Sequence, residues 1–190
     1  MPRVRLPVTP TAAYLTIAIW TSFAFVPAEP LLVAAGSYAA AGALKLPLAI
    51  AAAAVGSLFS DITKYWLGRL TGPAVLRRLA RWETGARAVA WVEARMNRAG
   101  PSVIVPAYFV PFGVVVATIL CGVLRFPLRG VAIASVVGAA LWSSMMTLLG
   151  YAGGSLAGHP LVGIAIGLPV ALLIGAVIAR RTTATTAARR

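Results

Sequence analysis

The chain has 190 residues, of which 60% are hydrophobic and 11% are charged. This composition excludes an ordinary soluble domain, because such a domain could not bury so much apolar surface, and it indicates a lipid bilayer as the solvent. The net charge of +13 does not indicate nucleic acid, since the basic residues lie mostly at the ends of apolar segments, as they do in membrane proteins.

The start of the chain predicts one helix and one interrupted segment. Residues 9–24 are apolar and predict a helix that we expect to be retained rather than cleaved as a signal peptide. Residues 25–43 are also apolar but contain Pro27, Glu29 and Pro30. Two prolines and an acid disfavour a straight span, so we predict a re-entrant hairpin that is buried in protein or lines a cavity.

The middle of the chain predicts a transmembrane helix followed by a surface helix. Residues 47–70 are apolar, begin with Pro47 in the first turn and are followed by Gly72. In residues 73–99, apolar side chains recur every three to four positions and arginines crowd the remaining face. This periodicity predicts an amphipathic helix on the cytoplasmic surface of the membrane.

The second half predicts another hairpin and two further spans. Residues 101–122 contain Pro106 and Pro111 in an apolar background and predict a hairpin like the first. The remaining predicted elements are a span, a last span and a disordered basic tail, at residues 127–150, 160–179 and 180–190.

Internal repetition connects the two halves. The tripeptide Phe-Val-Pro occurs at residues 25–27 and again at 109–111, and three glycines recur 82 positions later. The glycines are Gly56, Gly68 and Gly72 in the first half and Gly138, Gly150 and Gly154 in the second. We therefore predict one membrane domain over residues 1–179, with repeats at 1–72 and 101–179 separated by the amphipathic helix.

The charges predict how the repeats are oriented. With the amphipathic helix placed in the cytoplasm, the other arginines are cytoplasmic too, and Lys45 is the one basic residue expected outside. A hairpin plus one span crosses the membrane an odd number of times, so the second repeat is inverted relative to the first. The predicted fold is an all-α membrane protein with about four spans, two opposed hairpins and both termini in the cytoplasm.

Glu29 is the first candidate for chemistry. An ionised carboxylate is costly in an apolar segment and must be protonated, paired or exposed to a wet cavity. One interpretation is a hairpin site that binds a proton or a cation. The other is a carboxylate near the outer interface that caps the following helical turn.

Asp61, inside the 47–70 helix, is the second candidate. Lys64 follows three residues later on the same face, and Tyr65 and Arg69 continue a similar stripe. Either Asp61 lies on an ion or proton pathway, or it forms a structural pair with Lys64 or Arg69.

Other chemistry is not indicated. The chain has one His and one Cys, and it has no metal-binding spacing, no phosphate-binding glycine loop and no Ser/His/Asp set. We therefore predict no enzyme, no metal site and no cofactor.

Three blocks of the sequence resemble the DedA family, also described as SNARE-associated Golgi proteins or the VTT domain. Residues 27–36 resemble its Pro-x-Glu/Asp hairpin, and residues 138–154 resemble its C-terminal Gly-x-x-x-Trp block. Residues 56–72 carry the most specific likeness, to Gly-x-x-x-Gly-Asp-x-x-x-Tyr-x-x-Gly-Arg-x-x-Gly. The likeness extends from about residue 20 to residue 178.

The second hairpin departs from the family pattern. The family usually carries Phe/Tyr-x-x-x-Arg-x-x-Pro-x-x-Arg there. Alignment on Pro111 puts Ile104 at the aromatic position, and Tyr108 and Val114 at the two arginine positions. Arginine suits a two-point contact with phosphate, so its loss argues against a phosphate-headed substrate. Tyr108 keeps a hydrogen-bond donor but brings no charge.

The resemblance implies transport or scrambling of lipids across the inner (plasma) membrane, including undecaprenyl phosphate and phospholipids, often linked to the proton gradient. The expected substrate or proton pathway consists of Glu29, Asp61, Lys64, Tyr65, Arg69 and Tyr108. Alternatives are a proton- or cation-coupled carrier of a small solute, and a non-transporting protein for assembly or envelope integrity. We expect membrane lipids and protons as partners and no nucleic acid, with a homo-oligomer as an open option.

Overall fold

The described part of the chain is helical throughout its regular structure. A computed structural model describes residues 9–23, 26–79, 81, 94, 96–110 and 112–157. The helices are α1 (Pro10–Ser22), α2 (Glu29–Ala40), α3 (Leu46–Leu79), a 3₁₀ helix (Gly100–Val103), α4 (Ile104–Ala107), α5 (Gly113–Val123) and α6 (Leu128–Ala157). Two stretches are long and apolar enough to cross a membrane, Leu46–Gly72 in α3 and Leu128–Leu156 in α6.

The spans predicted at 47–70 and 127–150 are confirmed as membrane-length helices, but both are longer than predicted. α3 continues through Gly72 to Leu79, so the boundary predicted at residue 73 is not a helix end. Gly72 is buried against Val123 of α5, and a glycine in close helix contact does not stop a membrane helix. Most of the remaining amphipathic segment, the last span and the tail lie outside the described residues.

The predicted first helix and first hairpin are two short helices in the structure. α1 has 13 residues and is not among the candidate spans, and α2 has 12. The chain is interrupted at Pro27, whereas Pro30 lies in the first turn of α2, where its missing N–H needs no partner. In the second half, Pro106 lies within α4, and residues 108–110 and 112, between α4 and α5, are not helical. Pro111 itself lies outside the described residues.

α1 runs beside α3 in the same direction. The hydroxyl of Tyr14 accepts a hydrogen bond of 2.7 Å from the backbone N–H of Lys45, at the start of α3. Further along, Gly56 of α3 is so close to Ala18 and Thr21 that a Cβ would overlap their atoms. Since α2 ends at the turn into α3, the start of α1 and the end of α2 lie at the same end of α3.

The second half packs in the same way. Pro101 of the 3₁₀ helix lies beside Gly130 near the start of α6, and Val105 and Tyr108 lie beside Gly138, about two turns further on. α5 then ends at the turn into α6. The 3₁₀ helix and α4 therefore pack along the first turns of α6, as α1 packs along α3.

Equivalent turns lead into the two long helices: turn 1 (residues 41–45) and turn 2 (residues 124–127). In each turn, one backbone N–H donates to the carbonyl five residues earlier in the chain, and the N–H of the residue before it donates to the carbonyl three residues earlier. Each of these N···O distances is 3.0 Å. This Schellman motif contains a residue with positive φ, which is Gly42 (φ 75°) in turn 1 and Arg125 (φ 57°) in turn 2. Glycine adopts this conformation freely, whereas a residue with a Cβ is strained by about 1 kcal/mol.

The two halves are joined by two helix crossings, in each of which a short helix of one half packs on the long helix of the other half. We call these the exchanged crossings. α2 of the first half packs on α6, where a Cβ on Gly36 would overlap the carbonyl oxygen of Thr147. α5 of the second half packs on α3, where a Cβ on Gly122 would overlap the carbonyl oxygen of Tyr65. Tyr65 and Thr147 are 82 positions apart, which is the spacing of the glycine repeat. Both crossings depend on glycine, because only a small residue lets two helix backbones come this close.

Turns 1 and 2 lie at opposite ends of the apolar part of α3. Turn 1 leads directly into Leu46, whereas Phe126 of turn 2 accepts a hydrogen bond of 2.8 Å from the hydroxyl of Tyr65. Val123, just before turn 2, lies against Gly72. At 1.5 Å per residue, Tyr65 and Gly72 are about 30–40 Å from the start of α3. This separation is comparable to the roughly 30 Å hydrocarbon core of a bilayer.

Candidate functional site

Asp61 and Lys64 form a buried ion pair on α3. Lys64 Nζ lies 2.7 Å from Asp61 Oδ1, and the two side chains are 1% (Asp61) and 5% (Lys64) exposed. Their three-residue spacing puts them on one face of the helix, so the pairing that the sequence allowed is present. Burying either charge alone would be strongly unfavourable, and the pair is tolerated at this depth because each charge neutralises the other.

Tyr108 connects this ion pair to the second half of the chain. Its hydroxyl donates a hydrogen bond of 2.7 Å to Asp61 Oδ2, and the side chain of Ser57, one turn earlier on α3, lies near the same hydroxyl. The Tyr108 ring packs against Gly138 and lies 6.1 Å from the ring of Trp142, both on α6. Since Tyr108 immediately follows α4, it ties the interrupted stretch of chain to both long helices.

We call Ser57, Asp61, Lys64 and Tyr108 the polar cluster. The contact from Lys64 to Asp61 has the distance of an ion pair but not the angles of a hydrogen bond, so Oδ1 accepts no hydrogen bond from the described residues. Oγ of Ser135 on α6 is likewise buried without a partner in that part of the chain. Buried polar atoms are usually satisfied; Asp61 Oδ1 has its ammonium partner at 2.7 Å, whereas Ser135 Oγ has no partner among the described residues.

Tyr65 and Arg69 belong to a separate contact, closer to turn 2. Arg69 Nη1 donates a hydrogen bond of 2.8 Å to the Tyr65 hydroxyl, which donates in turn to the Phe126 carbonyl over 2.8 Å. The Arg69 guanidinium also lies 5.9 Å and 5.8 Å from the ring centres of Tyr65 and Trp66. These two residues share no hydrogen bond with Asp61, although the sequence places all three along a similar stripe.

Glu29 also lies apart from the polar cluster. It is the first residue of α2, where a carboxylate is favoured by the positive end of the helix dipole. Its side chain is half-buried and has no ion pair or hydrogen bond with the described residues. The helix-capping interpretation is not supported, because the N-cap is Ala28 and no side-chain cap hydrogen bond is formed, and no direct contact joins Glu29 to Asp61 within the described ranges.

Ser57 and Trp142 lie beside Tyr108 in the structure and were not expected as its neighbours from the sequence. Ser57 carried a usable signal, because it precedes Asp61 by four residues and so lies on the same helix face. Trp142 carried none, because its contact with Tyr108 depends on how α4 packs on α6. Within the described residues, no group of three or more metal-ligating side chains occurs.

Comparison of the sequence with protein-family models gives a match that includes the residues of this site. The family model of the VTT domain matches residues 26–152, about two thirds of the chain. The chain belongs to the DedA family. The match includes Glu29, the polar cluster and both exchanged crossings, and it confirms the resemblance seen in the three sequence blocks. Together with the two membrane-length helices, it identifies a membrane protein of the DedA class. No curated protein and no solved structure matches the chain.

Proposed function

We propose that this DedA protein moves a lipid between the leaflets of the plasma membrane, and that the polar cluster and Glu29 lie on its pathway. The observation that carries the proposal is the buried ion pair of Asp61 and Lys64, bonded to Tyr108 where the chain is interrupted. Ionisable groups at membrane depth are costly, and they characteristically mark the routes of ions, protons and polar substrates.

Helix lengths support a position within the membrane for both carboxylates. Asp61 follows the first residue of α3 by 15 positions, which puts it about 22 Å from turn 1. Glu29 precedes the last residue of α2 by 11 positions, which puts it about 17 Å from the same turn. Both distances fall inside a hydrocarbon core of roughly 30 Å.

Helix packing supports two re-entrant hairpins that enter from opposite faces. The start of α1 and the end of α2 lie at turn 1. The 3₁₀ helix and the end of α5 lie at turn 2, at the other end of α3. The non-helical residues 26–28 and 108–110 are then at the hairpin tips, near the midplane, where folds of this kind bind substrate. The proposed arrangement crosses the membrane three times, through α3, α6 and the span expected at residues 160–179. The sequence predicts about four crossings, and the difference arises because α1 is here one limb of the first hairpin.

The basic residues orient the proposed arrangement. Arg125 and Arg129 lie at turn 2 and Lys45 lies at turn 1, so the positive-inside rule puts turn 2 in the cytoplasm. α1 then begins on the outer side, in contrast to the cytoplasmic N-terminus expected from the sequence. The C-terminal tail stays cytoplasmic, provided that the span at 160–179 crosses.

The polar cluster also supplies a mechanism for coupling to protons. Lys64 is a cation beside the second hairpin tip, where the family's arginine positions hold Tyr108 and Val114. Protonation of Asp61 removes the charge that holds Lys64 and frees the ammonium group for a lipid phosphate. Loss of that proton restores the closed ion pair and releases the headgroup. Glu29, at the other hairpin, is the second group that can take up and release a proton.

The proposed coupling is tested by lipid exchange in liposomes. Purified protein is reconstituted with fluorescent phospholipid or labelled polyprenyl phosphate, and the exchange rate is followed over a series of pH values. The wild type should show a pH-dependent rate, and Glu29→Gln should weaken that dependence, with the remainder carried by Asp61. Lys45→Gln, which neutralises an exposed charge in turn 1, should keep it. Unchanged pH behaviour in Glu29→Gln would remove Glu29 from the mechanism.

The same preparation separates the alternatives. Uptake of a solute without lipid exchange would favour a proton- or cation-coupled carrier. A protein that co-purifies in fixed ratio, with neither activity present, would favour a role in assembly or envelope integrity.

A further inference from the structure

Four arginines gather at one end of the helical bundle, and we call Arg69, Arg98, Arg125 and Arg129 the basic surface. Arg125 lies in turn 2, Arg129 is the second residue of α6, and both are exposed. Arg98 is exposed just before the 3₁₀ helix, which packs on the first turn of α6. The half-buried Arg69 reaches turn 2 through the hydroxyl of Tyr65.

Local structure disfavours arginine at two of these positions. Arg125 has a left-handed backbone conformation, φ 57°, that suits glycine. Arg129 lies in the first turn of α6, at the positive end of the helix dipole, where a cation is unfavourable. Neither has a carboxylate partner among the described residues, in which Asp61 is paired with Lys64 and Glu29 is unpaired.

Turn 1 provides an internal comparison for turn 2. It closes with the same hydrogen bonds, but the position of Arg125 is occupied by Gly42. The second residue of the following helix is Pro47 in α3, where α6 has Arg129. Glycine and proline are the residues that these backbone positions prefer. The motif therefore folds without either arginine. The presence of Arg125 and Arg129 is then explained by a contact with a group outside turn 2.

We propose that the basic surface binds the phosphate groups of acidic phospholipids in the adjoining leaflet. Turn 2 is about 30–40 Å from turn 1 along α3, so it lies at headgroup level when the apolar part of α3 spans the hydrocarbon. A guanidinium has five N–H donors and contacts phosphate at two points. Arg69 donates one of them to Tyr65. The surface is separate from the polar cluster, and it anchors turn 2 rather than moving the lipid.

The test uses the full chain in detergent, titrated with dioleoyl phosphatidylglycerol or with dioleoyl phosphatidylcholine. Bound lipid is measured by native mass spectrometry. Unfolding temperature is measured with a thiol-reactive dye, because the buried thiol of Cys121 reacts only after unfolding. Phosphatidylglycerol, and not phosphatidylcholine, should bind and stabilise the wild type. Arg125→Gly should weaken that binding about five-fold, and adding Arg129→Gln should weaken it about five-fold again.

Stability without lipid separates anchoring from a structural role. Arg125→Gly gives turn 2 the residue that turn 1 already has, so its unfolding temperature in lipid-free detergent should equal or exceed that of the wild type. Lys45→Gln in turn 1 should retain phosphatidylglycerol binding. Undiminished binding by the double variant would overturn the proposal. A lower lipid-free unfolding temperature in Arg125→Gly would also overturn it, and stabilisation by inorganic phosphate alone would contradict a lipid ligand.

Discussion

Replacing Lys64 by methionine tests how strongly the buried ion pair supports the fold. Methionine keeps much of the side-chain volume but removes the charge, which leaves the Asp61 carboxylate 1% exposed without its cation. Removing one partner of a buried ion pair costs about 3–5 kcal/mol. For a chain of this size, a stability change of 1 kcal/mol shifts Tm by about 2–4 °C, so Tm should fall by about 6–20 °C.

The assay follows thermal unfolding in detergent through the buried thiol of Cys121. The double variant Asp61→Asn/Lys64→Met should recover most of the loss, because no unpaired charge stays buried. Acidification should also stabilise Lys64→Met relative to the wild type, since protonation of Asp61 removes the unpaired charge. A Tm equal to that of the wild type at neutral pH would refute the reasoning, because Asp61 would then be solvated.

Other variants probe the crossings and the remaining candidate residues. Gly122→Ala should lower the free energy of unfolding by about 1–3 kcal/mol or more, because the new Cβ overlaps a backbone carbonyl of α3, and Gly36→Ala should do the same on α6. Gly130→Ala, where a new Cβ would lie 3.1 Å from a proline side chain, is the control and should cost much less. Tyr108→Phe should cost about 1.5–3 kcal/mol because a charged acceptor loses its donor, and an unchanged Tm would contradict that hydrogen bond. Glu29→Gln should leave stability within about 0.5 kcal/mol, so a large loss of Tm would indicate a structural partner.

Sequence patterns anticipated the elements that depend on neighbouring residues. The apolar runs of α3 and α6 are as long as a bilayer-spanning helix and predict membrane helices. The three-residue spacing of Asp61 and Lys64 makes their contact a property of one helix turn. The 82-residue glycine spacing marks close helix contacts, because Gly68 and Gly150 lie against backbone carbonyls of α5 and α2, and the inverted repeat stays a prediction.

Contacts between distant elements were not predictable from one sequence. Tyr108 bonds Asp61 across 47 residues, and nothing local to either residue encodes that pairing. The Tyr65 hydroxyl bonds the Phe126 carbonyl and Arg69 bonds that hydroxyl, contacts that depend on where turn 2 lies against α3. The helix predicted at residues 9–24 is present as α1, Pro10–Ser22, which is not among the candidate membrane spans, so its role as a crossing stays a prediction.

The most direct test of the account is leaflet exchange of labelled phospholipid and labelled polyprenyl phosphate in liposomes that contain the wild type or Asp61→Asn/Lys64→Met. The double variant is expected to fold, so a loss of exchange reports the pathway rather than stability. We predict exchange above that of empty liposomes for at least one lipid in the wild type, and its loss in the double variant. Exchange at the level of empty liposomes for both lipids, or full exchange in the double variant, would contradict the proposed role of the polar cluster.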